Sequence, residues 1–200
     1  MKAMLKDALI LLIITVIAGA ALGFVYTITK EPIAISKEKA ETKSFQEVFT
    51  DAASFAPIEG MNVDAGYESK FDGVSVDKAL LAKDSSGNVL GYVLVLTSKE
   101  GYGGDITFSM GLQRDGTING ISILSISETA GLGMNADKVL KPQYAGKKVP
   151  EFTVTKVGAM SDSEIDAISG ATITSKAVTK AVNAGLYYFQ TTLGGGTYEN

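Results

Sequence analysis

The stretch Ile106-Thr107-Phe108-Ser109-Met110-Gly111-Leu112, continuing through Gln113-Arg114-Asp115-Gly116-Thr117 to Ile118, decides how this chain folds. Large apolar residues alternate strictly with small or polar ones, the period of two expected of a half-buried strand. Arg114-Asp115-Gly116-Thr117 has the composition of a tight turn, so residues 118–127 are the expected return strand. Upstream, residues 79–83 and 89–97 flank Ser85-Ser86-Gly87-Asn88 and read as a second hairpin, with Val93 and Val95 alternating against Leu94 and Leu96. Three or four antiparallel strands are therefore expected to form one sheet.

Helices are expected on either side of these strands, which makes the fold class α+β. From Thr174 or Ser175 to Thr192, the residues Ala177, Val178, Ala181, Val182, Gly185, Leu186 and Phe189 form one apolar side, and Gly194-Gly195-Gly196 ends the helix. Residues 135–140 suit a short helix stopped by Pro142, and residues 152–156 suit a strand. Nearer the N-terminus, Pro32 is expected to interrupt the chain, and Ser36 to cap a stalk or packing helix over residues 37–53 with Phe45, Val48 and Phe49 on one side. Residues 64–76 match no single pattern.

No charged residue occurs between Asp7 and Lys30, and residues 8–28 are apolar apart from Thr15, Tyr26 and Thr27. That is about the 20 residues needed to cross a bilayer core as a helix. A cleaved signal peptide competes with this reading, because Ala18-Gly19-Ala20 resembles a cleavage site, but apolar sequence continues past it. Gly19 and Gly23 have the spacing that lets another helix approach, and the same spacing suits a plain apolar anchor. Lys2, Lys6 and the amino terminus precede the span and favour a cytoplasmic N-terminus, against the weaker pull of Lys30 and Lys37. The expected organisation is an anchor over residues 1–30, a stalk helix and connection over 31–75, and the main domain over 76–200, outside the cytoplasm.

Composition removes several chemistries. The 200 residues include no Cys, His or Trp, so thiolate nucleophiles, disulfides, iron–sulfur ligation, His-ligated haem or zinc and a Ser-His-Asp triad are all excluded from this chain alone. No metal-ligand set is read from the sequence. If electrons move here, an organic cofactor carries them. Removing Lys2, Lys6 and Lys30 from the 18 basic residues and Asp7 from the 22 acidic ones leaves 15 and 21, a net charge of −6 beyond the anchor. Such a balance argues against nucleic acid as a partner.

Three Gly-containing segments carry the chemistry. Asp166-Ala167-Ile168-Ser169-Gly170-Ala171-Thr172 leads into the last helix. Gly170 and Ala171 keep the turn slim, Thr172 presents a hydroxyl, and the free N–H groups of a helix start favour a phosphate. The same residues also fit an ordinary helix start with Thr172 or Thr174 as the cap. Asp166 adds an acidic group suited to a metal brought by a modifying enzyme. Glu128-Thr129-Ala130-Gly131-Leu132-Gly133 follows a strand, and its glycines would let backbone approach a flat ligand or simply turn the chain. Gly101-Tyr102-Gly103-Gly104 reads either as a turn or as a gap for a ring.

In order and spacing, these three segments behind an N-terminal span resemble the FMN-binding family, most closely the G subunits of Rnf electron-transport complexes, over nearly the whole chain. The resemblance implies an N-terminal transmembrane helix followed by an FMN-binding domain with an antiparallel sheet and packed helices. It implies FMN bound covalently by a phosphoester to Thr172, attached by a flavin transferase that uses FAD. Glu128, Thr129, Gly131, Leu132 and Gly133 carry over as flavin-pocket residues, with Ser169, Gly170, Ala171 and Lys176 near the phosphate. Family members usually have Pro where Ala130 stands, a change that loosens the turn without removing a ligand atom. The implied role is an electron carrier, not catalytic alone, working with other Rnf subunits that couple ferredoxin and NAD to Na⁺ or H⁺ translocation. The C subunits of the Na⁺-translocating NADH:quinone reductases, a free-standing flavinylated carrier, and a cofactor-free membrane-tethered assembly module remain as other readings.

Overall fold

Alternation along residues 106–112 becomes strand pairing in the computed structural model, which describes residues 2–60 and 65–194. In chain order the elements are α1 (Lys2–Val48), β1 (Ser54–Pro57), α2 (Ala65–Lys70), β2 (Val74–Lys83), β3 (Val89–Ser98), β4 (Ile106–Gln113) and β5 (Ile118–Ser125). They are followed by α3 (Ala136–Val139), α4 (Lys141–Tyr144), β6 (Thr153–Thr155), β7 (Glu164–Asp166) and α5 (Thr172–Thr191), with a single 3-10 turn at Gly133–Asn135 before α3. Strands β1 to β5 form one antiparallel sheet in sequence order, so each strand pairs with its chain neighbour, while β6 and β7 form a separate parallel pair. The sheet thus has five strands where three or four were expected. The additions are β1, which pairs Ser54 with Lys83, and the earlier start of β2 at Val74. Both hairpins follow their turn chemistry. Gly87 and Gly116 take φ of 85° and 87°, and the Asp84 carboxylate accepts the N–H groups of Ser86 and Asn88.

Ile106, Phe108, Met110 and Leu112 are fully buried on the face that packs against α5. Each such side chain contributes about 1.5–3 kcal/mol relative to exposure, so a one-residue slip of β4, which would turn all four outward, is strongly disfavoured. Gly185 lets α5 approach closely, since a Cβ there would lie 2.9 Å from Leu96 Cδ1 and 3.0 Å from Met110 Sδ.

The opposite face of β4 is not the solvent face that the alternation implied. Ser109 is fully buried, and its Oγ is hydrogen-bonded to Ser44 Oγ. A Cβ on Gly111 would fall 2.9 Å from both Val48 Cβ and Val48 O. The end of α1 covers this face, where Phe45, Val48 and Phe49 join Ala82, Val93 and Val95 in a second apolar cluster. Glu47 fastens it from the rim, accepting from Ser122 Oγ at 2.7 Å and Lys141 Nζ at 2.9 Å. Small residues at 109 and 111 mark the covered face, because only they leave room for a helix.

Two helical expectations are corrected. Pro32 lies inside α1, which continues from Lys2 to Val48 without stopping, and the packing helix ends at Val48, short of residue 53. One proline removes a single N–H donor and displaces one carbonyl partner, and the long helix accommodates both. Pro142 does not terminate a helix but sits in the first turn of α4, where its missing N–H has no partner to lose. The last helix begins at Thr172, two or three residues ahead of the expected start at Thr174 or Ser175, and Gly195 and Gly196 lie outside the described residues.

The chain divides into two compact units, residues through 40 and residues from 41 onward. In the first, α1 exposes Leu9, Ile10, Leu11, Leu12, Ile13 and Ile14 together, with a window of mean hydropathy 2.8. It is the one helix among the described residues long and apolar enough to cross a membrane.

Candidate functional site

Helix α5 begins without a side-chain cap. Ala171 holds the N-cap position with φ −132° and ψ 49°, so neither Thr172 nor Thr174 caps it, and no acidic residue lies in the first turn. The N–H groups of that turn and the helix dipole therefore favour an anion at this end. The loop leading into it is held internally. Ile168 N–H donates to Ser175 Oγ, and Ser175 Oγ donates to the Ala171 carbonyl, both at 2.9 Å. Ala171 N–H returns to the Ile168 carbonyl at 2.9 Å. Gly170 turns the chain with φ of 76°, in the left-handed region, and its outer side faces Leu132. Thr172, first residue of the helix, is partly exposed, and its hydroxyl has no hydrogen-bond partner among the described residues.

A second wall is the segment from Glu128 to Gly133. The Thr129 carbonyl accepts the N–H groups of Leu132 at 3.1 Å and Met134 at 3.3 Å, and Asn135 Nδ2 donates to the Gly131 carbonyl at 2.7 Å. These bonds close the turn with Ala130 in place. A third wall is the segment from Gly101 to Gly104. A Cβ on Gly101 would lie 2.1 Å from Gly104 O, and one on Gly103 2.1 Å from Ser127 O. Neither position admits a side chain, so Tyr102 alone projects from this loop into the cleft. Glu128 joins the two walls, its Oε1 accepting Gly103 N–H at 3.3 Å.

The three segments enclose an open cleft of about 520 Å³, within the range of small-molecule sites. Among the residues expected to surround a cofactor, Glu128, Thr129, Leu132, Gly133, Gly170, Ala171 and Thr172 line it. Ser169, Gly131 and Lys176 do not; all three are exposed, Ser169 and Gly131 within the turns and Lys176 one helical turn beyond Thr172. Asp166 ends β7, where Gln143 holds its backbone N–H at 2.7 Å, and it too is outside the lining. The structure adds Tyr102, Ile173 and Thr174. Tyr102 was visible as the lone aromatic among three glycines, whereas nothing in the sequence separated Thr174 from an ordinary helical threonine. The arrangement fits FMN: an uncapped helix end for a phosphate, a partly apolar cleft for a ring, and glycine backbone where side chains would intrude.

Comparison with known proteins agrees with this geometry. The FMN-binding domain family matches residues 101–187, and the RnfG N-terminal region matches residues 1–48. A crystal structure of Shewanella oneidensis NqrC superposes with a TM-score of 0.51 at 21% identity, covering 74% of this chain and 85% of that one, and so supports the fold. The chain is thus an FMN-binding domain protein with an apolar N-terminal helix. The G subunit of the Na⁺-translocating ferredoxin:NAD⁺ oxidoreductase complex of Acetobacterium woodii is 34% identical over 94% of this chain and 93% of its own length. The G subunit of an ion-translocating oxidoreductase complex of Methanosarcina acetivorans is 33% identical over 94% and 95%, and that of a proton-translocating complex of Clostridium ljungdahlii is 34% identical over 90% and 88%. The chain belongs to the family of Rnf complex G subunits. Sodium- and proton-translocating relatives match at the same identity, so likeness at this level does not select a coupling ion.

Proposed function

We propose that this protein carries FMN as a phosphoester on Thr172 and relays electrons within a membrane-bound Rnf complex that couples ferredoxin and NAD to ion translocation. The observation that carries the reading is Thr172 itself, an unpartnered hydroxyl on the first turn of an uncapped helix, inside the cleft. Attachment needs a separate flavin transferase using FAD. The Thr172 hydroxyl oxygen attacks the flavin-side phosphorus, the pyrophosphate bond breaks, AMP leaves and the hydroxyl proton is released. Bound FMN supplies the one- and two-electron chemistry that a chain without Cys or His lacks.

The chain's own residues position and shield. The first-turn N–H groups of α5 offset the phosphate charge. Leu132 and Tyr102, both exposed at the cleft, provide apolar surface for a ring, and Gly133 keeps the floor clear. Ser169, Gly131 and Lys176 are assigned a supporting role around the attachment point.

Residues 8–28 anchor the protein, with the N-terminus cytoplasmic and the main domain outside. The exposed apolar surface of α1 supports the anchor, and Lys2 and Lys6 support its direction. Partners are then the other Rnf subunits, the transferase and the bilayer. The test is production of the full chain with and without a flavin transferase, followed by intact mass and in-gel flavin fluorescence. Wild type gains one FMN less one water only with the transferase, and Thr172→Ala gains nothing. An unshifted wild-type mass in the presence of active transferase refutes the covalent reading.

A further inference from the structure

Thr174 lies two residues beyond Thr172 and is only 1% exposed, yet it lines the cleft. Its hydroxyl makes no hydrogen bond with any described residue. That is unusual on this helix, because Ser175, Thr179 and Thr191 each donate to a helical carbonyl four residues back at 2.8–2.9 Å. A hydroxyl with no partner in the chain that faces the cleft keeps its hydrogen-bonding capacity for whatever fills that cleft. A site that tolerates such a group is arranged for a partner not supplied by the chain.

Its neighbours identify the partner's chemistry. A Cβ built on Gly133 would lie 2.7 Å from Thr174 Oγ1 and 2.7 Å from Glu128 Cβ, so the hydroxyl sits at the cleft floor close to Glu128. Glu128 also lines the cleft, so a phosphate seated on its floor would share the cleft with a carboxylate, and like charges repel. A neutral polar atom meets no such penalty. We infer that Thr174 is a flavin-binding residue whose hydroxyl hydrogen-bonds a neutral oxygen or nitrogen of the ring or polyol chain, leaving the phosphate to Thr172 and the helix end. The inference rests on the flavin reading above and adds a second, non-covalent contact to it.

The test uses the full chain in detergent micelles, produced without transferase, and compares wild type, Thr174→Val and Thr174→Ser for binding of free riboflavin and free FMN by flavin fluorescence. Thr174→Val weakens both ligands by the same factor, about tenfold, the value of one ordinary hydrogen bond. Thr174→Ser keeps the hydroxyl and binds within about twofold of wild type. Without ligand, Thr174→Val melts close to the wild-type temperature, because it keeps the shape and breaks no hydrogen bond within the chain. A variant damaged in folding would melt lower, which separates a binding role from a structural one. After flavinylation, Thr174→Val carries the same added mass as wild type but shows a shifted flavin midpoint potential. Riboflavin affinity equal to wild type in Thr174→Val overturns the inference, as does a loss confined to FMN, which would place the hydroxyl on the phosphate. If wild type binds neither flavin and also gains no mass with the transferase, the flavoprotein reading falls and this one with it. A flavinylated wild type beside an unaffected Thr174→Val overturns this inference alone.

Discussion

Replacement of Asn183 tests the packing that holds α5 to the rest of the domain. Asn183 is 8% exposed on α5, and its side-chain amide closes a two-bond clamp on residue 152. Oδ1 accepts Phe152 N–H at 2.8 Å and Nδ2 donates to the Phe152 carbonyl at 2.9 Å. Phe152 is 2% exposed and packs edge-on against Tyr144, with ring centroids 5.2 Å apart. Asn183→Ala therefore leaves a buried N–H and a buried carbonyl together without partners. At about 1–3 kcal/mol for each such group, reduced where water enters the vacated space, a loss of about 2–4 kcal/mol is expected. Asn183→Asp discriminates further. An ionised carboxylate accepts from the N–H but faces the carbonyl oxygen, so burial and repulsion raise its folded-state pKa above the unfolded value near 3.9. For a group raised on folding, stability is fully present below the unfolded pKa and is lost as pH rises through the folded one. The deficit of Asn183→Asp against wild type should thus be small near pH 4, where the protonated acid donates to the carbonyl, and should widen toward neutrality. Guanidinium denaturation of the full chain in micelles, followed by tyrosine fluorescence from pH 4 to pH 8, measures both effects. A loss below about 0.5 kcal/mol for the alanine variant, or a deficit in the aspartate variant that shrinks with rising pH, refutes the clamp.

Gly111→Ala should destabilise by about 1–3 kcal/mol in the same denaturation assay, because the added Cβ falls 2.9 Å from Val48 Cβ and Val48 O and pushes α1 off the sheet. Gly103→Ala places a Cβ 2.1 Å from the Ser127 carbonyl, so the Tyr102 loop must move; fluorescence titration should show weaker binding of free FMN, with a smaller effect on the unfolding midpoint than Gly111→Ala. Asp115, in the β4–β5 turn, has its carboxyl lowered to about 2, first by the N–H of Thr117 and then by Lys148 and the Thr117 hydroxyl. A group lowered on folding stabilises above its unfolded pKa and loses that contribution as pH falls through the folded one. The advantage of wild type over Asp115→Asn should accordingly be constant from pH 7 to about pH 5 and decline from about pH 4 toward pH 2, read from the pH dependence of the thermal midpoint.

Strand periodicity and turn residues were legible because both are local properties. Residues 106–112 alternate, residues 89–97 form an apolar run, and the hairpin turns carry glycine where positive φ is required. The far face of β4 was harder to read, since Ser109 and Gly111 count as polar or small in a pattern and become interior only when α1 arrives from some 65 residues away. β1 escaped notice for a related reason: four residues, Ser54 to Pro57, are too short to show a period, and their pairing with β2 is a tertiary event. At the site, the three Gly-containing segments were legible as motifs, while the meeting of ten residues around one cleft is a tertiary property that no single segment displays. Ser169 and Lys176 are adjacent to the lining in sequence but point elsewhere, because adjacency along a helix start does not determine direction.

The hydroxyls of α5 show how rotation about one helix divides labour among similar residues. Ser175 and Thr179 are both buried; Ser175 closes the loop that leads into α5 and Thr179 bonds Tyr144 OH at 2.7 Å, so the loop is ordered by the domain's own contacts. Thr172, on the open side, keeps its hydroxyl unpaired and partly exposed. Under the proposed function a transferase must reach this oxygen in the folded protein, and a hydroxyl on the open side with no internal bond to hold it meets that need. Thr174 faces inward over the cleft between these two extremes. If Thr172 carries the flavin as proposed, one helix provides a rigid base, a tether and a contact for what is tethered, and the helical periodicity keeps the three apart. On this account, moving the acceptor hydroxyl by a single position, as in Thr172→Ala combined with Ile173→Thr, should abolish flavinylation even though Ile173 is more exposed. Attachment at residue 173 in intact-mass and peptide analysis would show that exposure, and not the geometry of the uncapped first turn, selects the site.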